Sequence, residues 1–238
     1  MRIPVPRIYF LGDEALVCEA PPPATLEVQR RIWAVAAQAR GWAAVREVVP
    51  GMNNLTIAFD ALDADAAALA AALEAAWRAA DSADSADETA NDSADSHGAA
   101  HAQPEGRDVE IPVSYGGAAG PDLVEVARHT GLAPEEVARR HAAGVYTVFF
   151  LGFQPGFAYL GGLDAALHTP RRAEPRLAVP AGSVGIGGEQ TGIYPAQSPG
   201  GWQLIGRTAL ALFDPARQPP TLLLPGDRVR FTIAEVLA

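Results

Sequence analysis

Apolar positions divide the 238-residue chain into two differently patterned parts. In the first part, Tyr9–Leu11 and Ala15–Glu19 carry short apolar runs that predict strands. Val28, Ile32, Val35 and Ala39 recur at helical spacing and predict a helix over Thr25–Arg40. Val45–Val49 and Leu55–Phe59 read as strands joined through Pro50-Gly51-Met52-Asn53-Asn54, a run of turn-forming residues. Alanine-rich Ala64–Ala80 predicts a second helix. These elements make a small β-α-β-β-α sandwich over residues 1–80.

The second part begins with a strand at Val109–Tyr115. Two short helices follow, Pro121 to Gly131 and Pro134 to Gly144, each with proline at its start and glycine past its end. Beyond Gly144 the helical period disappears. Val145–Phe150, Ser183–Ile186, Trp202–Ile205, Ala209–Phe213, Leu222–Leu224 and Val229–Ile233 are short apolar runs between glycine and proline turns. That spacing predicts a closed or nearly closed β-barrel over residues 107–238, and an α+β class for the whole.

Asp81–Ser96 separates the two parts and reads DSADSADETANDSADS, with no large apolar residue. It cannot bury enough surface to offset its ordering entropy, so residues 81–106 are expected to form a flexible acidic linker. Its six acidic residues supply most of the net charge of −10. A solubilising spacer and an acidic interaction tail both suit that composition. With a pI near 4.9, the chain has no global attraction for nucleic acid or an anionic membrane. All 18 basic residues are arginine, which excludes a Walker-type phosphate loop or a Schiff-base lysine on this chain. Cys18 stands alone, so no internal disulfide forms, and the usage suits a reducing cytosol. Neither a secretion signal nor a membrane-length apolar run is present, and the expected location is cytoplasmic.

Candidate chemistry concentrates between Leu151 and Arg207. Eleven of the 23 glycines lie between Gly152 and Gly201, a density that suggests shaped loops on a rigid barrel. His168-Thr-Pro-Arg171-Arg172-Ala-Glu-Pro-Arg176 gathers three guanidinium forks, which suit a carboxylate or phosphate. A structural network with Glu174, Asp164 or Asp214 is the alternative. Gly185–Gly192 fails the dinucleotide spacing because Gln190 stands where the third glycine belongs. It reads instead as a tight turn between barrel strands that presents Glu189, Gln190 and Tyr194. Gln154 and Tyr194 join aromatics on neighbouring loops, while Phe157 and Trp202 read as core. Ser198 lacks a nucleophile-elbow context. His97 and His101 read as stray linker histidines, and no metal site is expected.

Longer segments carry a resemblance. Pro50-Gly-Met-Asn-Asn-Leu55, Gly120-Pro-Asp-Leu123, Phe150-Leu-Gly-Phe-Gln-Pro-Gly-Phe157, His168–Leu177 and Pro225-Gly-Asp-Arg-Val-Arg-Phe231 closely resemble one family. It contains the B component of 5-oxoprolinase, the Kip-type inhibitor of a sporulation histidine kinase and the so-called allophanate hydrolase subunit 1. The resemblance implies a cyclophilin-like C-terminal barrel. It also implies a place in a complex with the C and A components of 5-oxoprolinase, which uses ATP to convert 5-oxo-L-proline to L-glutamate. Applied to this sequence, Arg171, Arg172 and Arg176 would bind anions, and Gln154, Gln190 and Tyr194 would orient substrate. His168 and Glu189 would move protons. ATP is expected to be shared with or bound by the partner proteins. The alternatives are a protein that inhibits a sensor histidine kinase, or an accessory subunit of another amide- or urea-processing enzyme.

Overall fold

The computed structural model describes residues 5–87 and 106–237, with side chains described outside 81–87. The chain separates into two compact units, Met1–Gln103 and Pro104–Ala238. The acidic segment beyond Asp87, with His97 and His101, lies outside the described residues.

In the first unit, β1 (Arg7–Phe10), β2 (Ala15–Glu19), β3 (Val45–Pro50) and β4 (Asn54–Phe59) form an antiparallel sheet in the order β1-β2-β4-β3. The two helices, α1 (Leu26–Ala39) and α2 (Ala66–Asp87), pack together over it. The expected β-α-β-β-α string is thereby refined to β-β-α-β-β-α, because β1 and β2 are separate arms of one hairpin. Helix α1 starts at a capping residue: Thr25 Oγ1 accepts the Val28 N–H at 3.2 Å and caps the first turn. Its apolar face meets Leu16, Cys18, Leu55, Ile57 and Phe59 in one core with Leu73 and Trp77. Burial pushes the Cys18 thiol up to about 12, so this cysteine is an inert packing residue. Helix α2 runs past Ala80 to Asp87, since alanine and aspartate in the repeat do not by themselves break a helix.

The second unit is built on β5 (Asp108–Gly116), α3 (Leu123–Thr130), α4 (Pro134–Ala143), β6 (Val145–Leu151) and β7 (Ala158–Gly161). It continues through β8 (Arg176–Val179), β9 (Ser183–Gly187), β10 (Gln190–Ile193), β11 (Ser198–Gly200), β12 (Gln203–Arg207) and β13 (Arg228–Leu237). Seven strands close a barrel in the order β10-β7-β6-β13-β5-β12-β9. Strands β8 and β11 pair outside it as a small separate sheet. Gly131, at φ 72°, ends α3 in the left-handed cap that the glycine signal predicts.

Two barrel expectations are corrected. Ala209–Phe213 and Leu222–Leu224 are irregular, and an isolated bridge pairs Phe213 with Thr221, just before the second run. Their apolar content serves burial, with Leu212 and Leu223 sealed into the core. Conversely, β7 and β10 come from the glycine-rich stretch that reads as loops. Gly161 on β7 shows why: a Cβ there would overlap the Phe149 ring. Glycine on this strand is a seat for a large ring, and burial of that ring replaces the missing side-chain packing.

Helix α4 delivers His141 to the barrel core. Its ring is fully buried among Tyr115, Tyr146 and Phe231, with centroid distances of 4.5–5.7 Å. Thr191 Oγ1 donates to Gly185 O at 3.1 Å and therefore accepts from His141 Nε2 at 2.8 Å. Nδ1 is then the acceptor for the Tyr115 hydroxyl at 2.8 Å. Burial lowers the His141 pKa to about 3, so the ring is neutral. Among the described residues no helix is long and apolar enough to cross a membrane.

Candidate functional site

Trp202, just before β12, organises the outer face of the barrel. It packs edge-on against Phe157, Tyr159 and Tyr194, with centroids 5.6–6.5 Å apart. With Val179 and Leu204 these rings form a second, smaller cluster between the barrel wall and β8. Phe150 stacks on Tyr159 at 4.3 Å. Burial raises the pKa of both Tyr194 and Tyr159, while the nearby Arg171 charge opposes the shift. Phe157 and Trp202 are buried, as the sequence suggests. Tyr194 is buried too, so its ring is a wall of the site rather than a projecting group.

The three arginines have unequal surroundings. Arg172 Nη1 and Arg176 Nη2 reach the same oxygen of Asp122, at 3.2 and 2.7 Å. The other carboxylate oxygen accepts the Leu204 N–H at 2.7 Å. Asp122 is 4% exposed. A structural network therefore does hold two of the arginines, through Asp122 rather than Glu174, Asp164 or Asp214. Two guanidinium groups share one carboxylate, which leaves positive charge in excess. Arg176 Nη1 is buried with no hydrogen-bond partner among the described residues. Arg171 makes no ion pair among the described residues; its guanidinium lies 5.8 Å from the Trp202 ring centroid, in reach of a cation–π contact.

An isolated bridge ties the arginine loop to the β9–β10 turn. Thr169 and Gly188 exchange two backbone hydrogen bonds, at 3.2 and 2.8 Å, which sets His168 beside Glu189 along neighbouring backbone. Glu189 is exposed at the hairpin tip. His168 is half-buried, with Nε2 3.4 Å from Leu163 O. Gln203 Nε2 donates to Pro170 O at 3.0 Å; among the described residues, buried Gln203 Oε1 has no donor and buried Gln190 Nε2 no acceptor. Gln154 sits on the β6–β7 loop, 3.4 Å from both Ala196 O and Ser198 Oγ. Next to it, Phe153 holds a left-handed φ of 64° and is 61% exposed, its edge toward Phe157 and Tyr194.

The structure thus sets Arg171 and Tyr194 against Trp202, brings the backbones of His168 and Glu189 alongside each other, and anchors Arg172 and Arg176 on Asp122. Sequence reasoning missed Asp122, Gln203 and Phe153. Asp122 was visible within Gly120-Pro-Asp-Leu123, but nothing local says which distant arginines it meets. Chemically the arrangement offers a guanidinium for an anion, one amide donor and one amide acceptor without partners, and rings to exclude water. No group of histidine, cysteine or acidic side chains among the described residues has the arrangement of a metal site.

The family model for the carboxyltransferase domain, subdomain C and D, matches residues 6–223. The chain is 50% identical over 228 residues to the B component of 5-oxoprolinase from Escherichia coli O157:H7, covering 94% of each. It is 48% identical over 226 residues to the Haemophilus influenzae protein of that name, covering 95% of this chain and 97% of the relative. A shorter match, 36% identical over 99 residues, covers 37% of this chain and 5% of urea amidolyase from Lachancea kluyveri. The crystal structure of TTHA0988 superimposes with a TM-score of 0.73 at 36% identity, covering 93% of this chain and 40% of that one. By sequence over nearly its whole length, and by fold, the chain belongs to the 5-oxoprolinase B-component family of carboxyltransferase-like domains.

Proposed function

We propose that the chain is the B component of a complex that opens 5-oxo-L-proline to L-glutamate at the expense of ATP, with the C and A components as partners. The observation that carries this reading is the near full-length identity to proteins named as the B component of 5-oxoprolinase. The site chemistry supports it. A lactam presents one N–H, one carbonyl and, in this substrate, a carboxylate. Gln203 Oε1 suits the N–H, Gln190 Nε2 the carbonyl and Arg171 the carboxylate. A five-membered lactam resists water because its amide is resonance-stabilised, and ATP supplies phosphoryl activation of the carbonyl oxygen. On this chain Arg171 and Arg176 Nη1 are the groups that suit a phosphoryl oxygen, and no lysine competes for that role. Tyr194 and Gln154 orient the ring, and the neighbouring His168 and Glu189 hold the proton-transfer positions. A second reading, an accessory domain for another amide or urea substrate, draws on the urea amidolyase match.

The test is release of glutamate and ADP from 5-oxoproline plus ATP by the protein alone, with the C component, and with both partners together. Turnover in the full mixture is the expected result. A verified complex that turns over urea or another amide but not 5-oxoproline overturns the first reading in favour of the second.

A further inference from the structure

A groove of about 540 Å³ lies on the second unit, with a lining that differs from the cluster around Trp202. Its lining includes Ser114, Pro195, Arg207, Leu210 and Glu235. The strand register explains how its polar groups come together. Arg207 of β12 pairs with Ser114 of β5, and Ser114 pairs in turn with Glu235 of β13. Paired residues on adjacent strands project to the same face. The flanking residues Val113 and Tyr115 are fully buried, so Ser114 faces outward and carries Arg207 and Glu235 with it. A cation, a hydroxyl and an anion therefore stand in a row across three strands. With strands about 4.8 Å apart, the two charged residues are separated at the backbone by about 10 Å.

That row is not used internally. Arg207 Nε donates to Ala181 O at 2.8 Å, which fixes one edge of the guanidinium. Neither Arg207 nor Glu235 makes an ion pair among the described residues, although two such side chains could meet across this distance. The remaining walls, at Ala119, Ala181, Gly182 and Ala209–Ala211, are small and mostly apolar. The wall at 208–211 is held in place: Thr208 N–H donates to Gly182 O at 2.9 Å, and Leu210 N–H to Thr208 Oγ1 at 3.3 Å. The volume falls within the range of small-molecule sites, about 300–1,000 Å³.

We infer that this groove binds a free zwitterionic α-amino acid, its carboxylate on Arg207, its ammonium on Glu235 and its aliphatic body against the alanine and leucine wall. A forked guanidinium matches a carboxylate, and a carboxylate opposite it selects a cationic nitrogen and disfavours a plain anion. The chemistry separates an amino acid from its lactam, because the ring nitrogen of 5-oxoproline is an uncharged amide that Glu235 cannot hold as a cation. This inference does not depend on the proposed reaction. If that reaction holds as well, the groove reads the open amino-acid form at a site separate from the one that takes the lactam.

The test is a titration of the full chain, followed by backbone amide shifts of residues 181–182 and 208–211. The probes are L-glutamate, L-alanine, glutarate and 5-oxo-L-proline. The expected result is saturable shifts with both amino acids and none with glutarate or the lactam. Glu235→Gln and Arg207→Gln should each weaken amino-acid binding about tenfold. Glu235 is exposed, so its variant should keep the wild-type fold and report on binding alone. Equal binding of glutarate and glutamate, amino-acid affinity unchanged in both variants, or no saturation by any amino acid would each overturn the inference. None of these outcomes bears on lactam turnover in the complex.

Discussion

The barrel interior around His141 and the outer face around Trp202 are made of similar residues put to opposite uses. Each gathers aromatic rings about polar or basic side chains. Inside, every polar atom of the chain from Tyr115 through His141 and Thr191 to Gly185 O has its partner, and Tyr146 closes the set by donating to His141 O at 2.7 Å. Outside, Gln190 Nε2, Gln203 Oε1 and Arg176 Nη1 are buried without partners among the described residues, where Arg171 has a ring but no acid. Complete hydrogen bonding is what a folding core selects, whereas polar atoms held out of water without partners cost stability unless a ligand completes them. The difference in satisfaction, not in composition, separates the scaffold from the candidate site.

Asp122 is where the two kinds of region meet, and its removal should have the largest effect. Asp122→Ala leaves Arg172 and Arg176 without an acid and the Leu204 N–H without an acceptor, a loss of about 3 kcal/mol in urea unfolding. Turnover by the complex should fall as well, since the arginine loop loses its anchor. Asp122→Asn keeps an oxygen for the Leu204 N–H and should recover part of the stability but less of the turnover. Full turnover in a destabilised Asp122→Ala protein would show that the arginine loop does not need this anchor.

The comparison is sharpened by a matched pair of variants. Arg171→Gln should lower ATP-dependent turnover about 100-fold, the scale for losing one charged stabiliser, while the urea midpoint stays at the wild-type value. Tyr115→Phe should do the reverse. It strands His141 Nδ1 in the core at about 2 kcal/mol and leaves activity per folded molecule intact. If both variants lose stability and neither loses turnover, the outer face is only a second core.

How much of this could be read in the sequence follows from the range of the interactions. Helix α1, its Thr25 cap and the Gly131 stop are local, and period and capping residues announce them. The barrel was legible as a class, because β5, β6, β9, β12 and β13 carry apolar runs. Strands β7 and β10 were hidden because Gly161 and Gly192 spend their positions on seating Phe149 and Trp202. That exchange involves residues far apart in the chain. The site behaved likewise. The residue types around Arg171 pointed to anion chemistry, but the division of labour among the arginines rests on Asp122, some fifty positions upstream of Arg172.

The smallest predicted effect concerns acid, and its sign follows from His141. The folded ring has a pKa of about 3 against an ordinary 6.5, lowered by burial. The titratable groups that face it, Tyr115 and Tyr146, are themselves pushed upward by burial and stay neutral. Above pH 6.5 both folded and unfolded chains hold a neutral imidazole, and this group adds no pH dependence. Between about 6.5 and 3 the unfolded chain binds a proton that the folded one refuses, so stability falls as the pH falls. One unit below the ordinary value the loss is about 1.4 kcal/mol. Denaturant unfolding at pH 7.5 and 5.5 measures it, and His141→Gln should remove that difference while lowering stability at both. A slope that survives in His141→Gln would place the acid-sensitive group outside the interior network and dissolve the distinction between the two regions.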